Sequence, residues 1–363
     1  MISKHPVRPD ALRYSGTAVR VLLPMQAILS VTIPFFALVL CGYLAARSRL
    51  LPESAIPGLN AYVLFFALPC MLYRFGASMP LARLLDPVLL GLYATCALLM
   101  VLMIVALTWR RRSGGTNAST NASGLSLKDA GFGAFVGAFP NSGFMGVPLL
   151  AALLGEPATG PVMATLLVDL FMTSTLCLVL AQAGAGQRSA GGSKASPFAA
   201  ALRALRGAAT NPQPWAIALG ALAGALSVEL PGPISQVLRM LADSASPVAL
   251  FTIGAVLWRA GQHAHTRTPL PRYLPVALMK LFVHPLLVGA AGIALRALGA
   301  PISDLGLTAL VLTAALPSAS GVSLLAERFG ADNGRVARII MASTALAFVS
   351  FSVIAWALVH RLG

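Results

Sequence analysis

Stretches of about twenty apolar residues, each long enough to cross the hydrocarbon core of a bilayer as a helix, alternate along this chain with short polar connections rich in Arg. Ten can be read: near Met25 to Ala46, Pro57 to Phe75, Val88 to Trp109, Ala130 to Leu154, Gly160 to Ala183, Trp215 to Val228, Val237 to Trp258, Tyr273 to Leu298, Leu305 to Ala326 and Val336 to Val359. The longest polar stretch, rich in Gly and Ser, divides five from five. The expected organisation is an N-terminal extension (1–24), a first five-helix repeat (25–183), a flexible cytoplasmic linker (184–212) and a second five-helix repeat (213–363). Five crossings per repeat start the second copy from the opposite side of the membrane, so the repeats are expected to be inverted. The fold class that follows is an all-α polytopic membrane protein with ten transmembrane helices.

Two spans depart from the apolar pattern in the same way. Ala138 to Gly155 reads A-F-P-N-S-G-F-M-G-V-P-L-L-A-A-L-L-G, and Ala315 to Gly330 reads A-L-P-S-A-S-G-V-S-L-L-A-E-R-F-G. With two extra residues in the first copy, Gly146 lies over Gly321, an offset of 175 residues. Pro removes a backbone donor and frees an upstream carbonyl, and lipid can satisfy neither, so such a stretch survives where protein encloses it around a cavity. Paired interruptions in corresponding positions of two halves point to the binding site of a secondary transporter. A weaker trace sets Pro69 beside Pro247 in the second span of each half, as an equivalent kink.

Composition narrows the class. The 363 residues are 57% hydrophobic and 10% charged, against roughly 25% charged in a soluble domain. The 26 basic residues invite a nucleic-acid reading, but they are scattered between apolar spans without aromatic-interleaved patches, so no nucleic-acid partner is expected and lipid is. Sixteen of them fall in alternate connections, whereas the opposite connections and the C-terminus hold only Arg74, Arg83, Arg239, Arg296 and Arg361. The positive-inside rule then places the first set in the cytoplasm and both termini outside, in a bacterial inner membrane. Residues 1–24 carry Lys4, Arg8, Arg13 and Arg20 on the wrong side. They are an extension, an amphipathic surface segment, or the product of a start assigned upstream of Met25.

Cys41, Cys70, Cys96 and Cys177 lie inside apolar spans at unrelated spacings, and only His284 of the five His lies in a span. No disulfide framework, metal site or cofactor is expected.

Polar groups at membrane depth supply the candidate chemistry. Pro140, Asn141, Ser142, Gly143, Gly146 and Pro148 fall within one crossing, which is expected to be two half-helices joined by an extended connector. The half-helix ends offer opposite dipoles beside the Asn141 amide, an arrangement suited to a carboxylate. The partner segment offers Pro317, Ser318, Ser320 and Gly321 as substrate-binding candidates, whereas Ser323 reads as bonded to its own helix. Asp169 and Lys280 are the ionisable side chains well inside spans, either paired structurally or acting as supporting or coupling charges. His284 shares a helical face with Lys280 and reads as a packing His bonded to a backbone carbonyl. Thr173, Ser174, Thr175, Ser343 and Thr344, and the Gly220 and Gly224 pair, read as helix-packing positions.

The segments P-N-S-G-F-M-G-V-P-L-L, A-L-P-S-A-S-G-V-S-L-L-A-E-R-F-G-A-D and M-K-L-F-V-H-P-L-L together resemble the auxin efflux carrier family, above all its bacterial malonate-permease-like members, from Met25 onward. The resemblance implies the bile acid symporter/PIN-like fold: ten helices in two inverted repeats, two crossing broken helices, and a transport domain that moves against a scaffold in an elevator-like exchange of organic anions. It matches Pro140, Asn141 and Gly143 to the first crossover, Pro317 to the second, and Lys280 to a lysine that supports the site. Ser318 and Ser320 stand where many relatives have Asn, and the N-terminal extension is unusual.

The expected function is secondary transport of a small organic anion, a mono- or dicarboxylate such as malonate, coupled to protons, sodium or nothing, in a monomer or homodimer. A sodium-coupled organic-anion symporter on the same scaffold is the nearest alternative. An intramembrane enzyme would need Ser142 or Ser320 to meet Lys280 or His284 as base. A channel or transport-derived sensor is the third alternative.

Overall fold

The computed structural model describes residues 16–80, 84–109, 125–185, 197–262 and 268–359, and among them it is helical throughout apart from two isolated β-bridges. The first half contains α1 (Gly16–Arg47), α2 (Glu53–Ala77), α3 (Pro87–Thr108), α4 (Leu127–Ala138), α5 (Ser142–Leu154) and α6 (Glu156–Ala183). A short helix, α7 (Pro197–Ala209), follows. The second half contains α8 (Pro212–Ala225), α9 (Gly232–Gln262), α10 (Leu270–Ala297), α11 (Asp304–Ala315), α12 (Gly321–Arg328) and α13 (Asn333–Val359).

Seven of these helices, namely α1, α2, α3, α6, α9, α10 and α13, are long and apolar enough to cross a membrane. The ten expected spans map onto them plus three shorter units. The expected spans at Ala130 to Leu154 and Leu305 to Ala326 are each two helices end to end, and α8 has 14 residues, about 21 Å at 1.5 Å per residue. Leu219 and Leu222 on one side of α8 are exposed, while Ile217 and Gly220 on the other pack against α2, the arrangement of a helix with one face toward lipid. The segment expected to be a flexible linker contains α7, which starts at Pro197 in the first turn and packs on α6; residues 186–196 of it lie outside the described residues. Gly16 to Pro24 of the expected N-terminal extension continue into α1 as one helix, and residues 1–15 lie outside the description.

The two halves exchange partners reciprocally. α1 packs on α9, and α8 packs on α2, so the first helix of each half lies on the second helix of the other. Glycine makes both contacts close: a Cβ on Gly42 would lie 1.8 Å from the Phe251 carbonyl oxygen, and one on Gly220 would lie 2.2 Å from that of Tyr73. Within each half the third helix packs on the first half-helix of the break, α3 on α4 and α10 on α11. α4 and α11 are each 12 residues long and are capped by Ser126 and Ser303, whose hydroxyls accept from the N–H groups of Asp129 at 3.1 Å and Gly306 at 3.0 Å. These caps stand 177 residues apart, the same offset as Pro140 and Pro317.

Proline also explains local widening of the helices. Wide π turns occupy Val63–Ala67, Ser142–Gly146 and Met279–Val283, and each is followed two residues later by a proline, Pro69, Pro148 and Pro285. The ring has no N–H to return and presses on the preceding turn, which opens. Pro247 sits inside α9 with no such turn, so it is not the equivalent of Pro69. A fourth π turn, Asp169–Thr173, lacks a following proline and carries a buried carboxylate instead.

Candidate functional site

The two breaks meet. The connector between α4 and α5 runs antiparallel to that between α11 and α12, bridged at Pro140 and Ser318. The Asn141 N–H donates to the Pro317 carbonyl at 2.9 Å, and the Ala319 N–H donates to the Phe139 carbonyl at 3.0 Å. Backbone groups freed by the two interruptions therefore satisfy each other, as hydrocarbon surroundings demand. Ser343 of α13 completes the crossing: its hydroxyl accepts from the Ser318 N–H at 3.2 Å and donates to the Ile340 carbonyl at 3.0 Å.

A cavity of about 830 Å³ opens beside this crossing. Of the residues singled out in the sequence, Pro140, Asn141, Ser142, Gly143, Ser320 and Gly321 line it. Asn141 is 6% exposed, and the Ser142 hydroxyl is buried without a hydrogen-bond partner. The N-terminal ends of α5 and α12 both reach the cavity wall, and a helix N-terminus favours negative charge. Gly321 faces open space, whereas Gly146 is needed for packing, since a Cβ there would lie 2.8 Å from Leu316 Cδ1.

Pro317 and Ser318 do not line the cavity. Ser318 is 1% exposed, its hydroxyl is buried without a partner and its N–H is held by Ser343. Sequence reasoning missed Asn60, Gln182, Arg203, Gln213 and Arg328, all in the lining. Arg203 and Arg328 had a signal, their charge, but it was absorbed into the argument about topology. Among the described lining residues none is acidic.

Lys280 and Asp169, expected as paired groups or as supporting or coupling charges, are fully buried and are not among the residues lining the cavity. Nor do they form a salt bridge with each other. Lys280 Nζ donates to the Ala314 carbonyl at 2.5 Å, in the last turn of α11, and lies 3.4 Å from His284 Nδ1. In an unbroken helix that carbonyl would accept from the N–H of Ser318, which goes to Ser343 instead. The ammonium thus replaces a helical donor lost at the break and sits at the negative end of a half-helix. His284 pairs with Lys280 rather than with a backbone carbonyl, and its Nε2 is buried without a partner. Asp169 accepts from Tyr93 Oη at 2.9 Å and from Thr173 Oγ1 at 3.0 Å. The Tyr93 and His284 rings are 5.8 Å apart, so the group around Asp169 and the group around Lys280 are neighbours. Ser142 Oγ makes no hydrogen bond to Lys280 or His284.

Among the polar packing candidates, Ser174 donates to the Leu170 carbonyl at 2.5 Å while also lining the cavity, and Thr344 donates to the Ile340 carbonyl at 2.8 Å. Thr175 Oγ1 is buried without a partner. Gly220 and Gly224 pack against the α2 backbone as expected. Among the described residues no His, Cys, Asp and Glu group is placed to hold a metal ion.

An all-helical chain with seven membrane-length helices, two broken helices crossing end to end and a cavity beside the crossing, apolar for the most part but reached by Asn141, Gln213 and two half-helix ends, has the makings of a membrane transporter. The comparisons agree. The model of the membrane transport protein family, the family of the auxin efflux carriers, matches residues 27–355, and the chain belongs to this family. A protein of Rhizobium meliloti (strain 1021) named "Putative malonate transporter" is 29% identical over 329 residues, covering 89% of this chain and 93% of that protein.

Proposed function

We propose that this protein is a secondary transporter of small organic anions, mono- or dicarboxylates such as malonate, working by elevator-like alternating access. The observation that carries the reading is the cavity beside the paired breaks: Asn141, Ser142 and two half-helix N-termini converge on it, and none of its described lining residues is acidic. Asn141 and Ser142 would donate to the carboxylate, with Gly143, Ser320 and Gly321 leaving backbone accessible. Lys280 is a positioning residue that holds α11 at the break, and Asp169 fixes α6 against α3 through Tyr93. The name of the Rhizobium protein supports malonate as the first substrate to try.

The same reading takes the chain as ten crossings in two inverted five-helix repeats. Support comes from the reciprocal pairs α1 with α9 and α8 with α2, and from the shared 177-residue offset of the helix caps and the breaks. It places both termini outside a bacterial inner membrane.

Counterflow into proteoliposomes loaded with malonate, screened against carboxylates, amino acids and sugars with and without sodium, tests the function. Uptake selective for carboxylates and lost in Asn141→Ala is expected. Absence of counterflow for every carboxylate would remove the substrate class. Strict sodium dependence would move the reading to a sodium-coupled symporter.

A further inference from the structure

We infer that Arg203 and Arg328 form a vestibule subsite for a carboxylate of a dianionic substrate, which makes the segment joining the two halves part of the recognition surface. The inference rests on the carboxylate-transport reading and narrows its substrate class.

Arg203 belongs to α7, outside both sets of five helices, yet its side chain lines the cavity that contains Asn141. Its Nη2 donates to Gln182 Oε1 of α6 at 3.0 Å and its Nε to the Ala199 carbonyl at 3.3 Å. Those bonds orient the guanidinium and use two of its five N–H donors. Arg328 closes α12, whose first residue, Gly321, lies at the crossing. Seven residues of helix put the two ends about 10 Å apart. An Arg at a helix C-terminus is favoured by the dipole alone, so Arg328 by itself would carry nothing. Its convergence with Arg203, brought from a separate element to the same cavity with no acidic lining residue, makes a cationic rim.

The distance divides the work. The backbone of Arg328 lies a helix length from the crossing, and in this inference the guanidiniums meet the anion before Asn141 does. Guanidinium recognises carboxylate in a planar, two-point fashion, and a cleft of one sign concentrates its counter-ion. A dianion gains more from that field than a monoanion of similar size, and the gain shrinks as salt rises.

The test compares KM for malonate and for lactate in phosphatidylcholine proteoliposomes, at about 0.02 M and about 0.3 M salt. The Arg203→Gln, Arg328→Gln double variant is expected to lower the preference for malonate over lactate about tenfold, and the corresponding double Lys variant to keep most of it. In the wild type, the KM for malonate is expected to rise more steeply with salt than that for lactate. A preference unchanged within twofold in the Gln variant, or equal salt slopes in the wild type, would overturn the vestibule while leaving carboxylate transport in place. No uptake of either anion by the wild type would defeat the transport reading itself and the vestibule with it. The salt comparison needs no variant, so it decides the matter even if the double variant is poorly folded.

Discussion

The two breaks share a sequence pattern and differ in what surrounds them. The first, at Phe139 to Asn141, is followed by a π turn and by Pro148, and it places Asn141 and Ser142 in the cavity lining. The second, at Leu316 to Ser320, is braced from behind: Lys280 holds the Ala314 carbonyl, Ser343 holds the Ser318 N–H, and Ser318 is hidden. The first break contributes Asn141 and Ser142 to the cavity lining and the second, braced by Lys280 and Ser343, contributes Ser320, and each supplies one hydrogen bond of the pair that joins them. A duplicated motif therefore does not make duplicated ligand contacts. What is shared is the need to satisfy broken backbone, and what differs is which side chains are left over once that need is met.

The largest effect should come from the presenting side. Asn141→Ala removes an amide that would bond a charged carboxylate, worth about 1.5–3 kcal/mol, so kcat/KM for uptake should fall about 10- to 100-fold with little change in thermal stability. Counterflow kinetics and a detergent melting curve check both halves of that statement. A fall in melting temperature equal to that of a bracing variant would erase the contrast between the breaks.

Lys280→Met should show the reverse balance. It leaves the Ala314 carbonyl buried without a donor, at a cost of about 1–3 kcal/mol, and removes the charge at the end of α11. Melting temperature and maximal uptake rate should both drop, while KM for the anion changes less than in Asn141→Ala. A large KM effect at unchanged stability would instead put the ammonium in contact with substrate. Ser343→Ala is the milder version, freeing the Ser318 N–H at a cost of about 1 kcal/mol and lowering the uptake rate a few-fold.

Which parts of this were legible beforehand follows from range. The breaks were readable because Pro, Asn and Gly in an apolar run have local consequences, and the wide turns at Val63–Ala67 and Met279–Val283 carry the same proline signature two residues on. The partner of a buried charge is not local. Asp169 and Lys280 could be read as paired or as supporting or coupling charges; Asp169 accepts from Tyr93 and Lys280 donates to the Ala314 carbonyl, each on another helix. Arg335 read as a connection residue that fixes topology. It is in fact 1% exposed in the first turn of α13, donating to the Arg272 carbonyl at 2.8 Å and the Asp129 carbonyl at 3.1 Å. Gly133 makes the room, since a Cβ there would lie 2.6 Å from Arg335 Nη1. Charge counting treats all arginines alike, and so it also passed over Arg203 and Arg328 at the cavity rim.

The smallest effect is the sharpest test of the contrast, because it compares two serines with nearly the same environment on paper. Ser142 and Ser318 each carry a buried hydroxyl without a partner and each lies one or two residues from its proline. Ser142 alone reaches the cavity. A neutral hydroxyl that bonds the anion contributes about 0.5–1.5 kcal/mol, so Ser142→Ala should raise KM for malonate about 2- to 10-fold. Ser318→Ala removes a hydroxyl that bonds nothing and keeps the N–H that Ser343 holds, so uptake should stay within about twofold and stability should not fall. Equal KM changes in the two variants would mean that the second break also presents its side chain to the substrate, and that the bracing by Lys280 and Ser343 belongs to only one stage of the transport cycle.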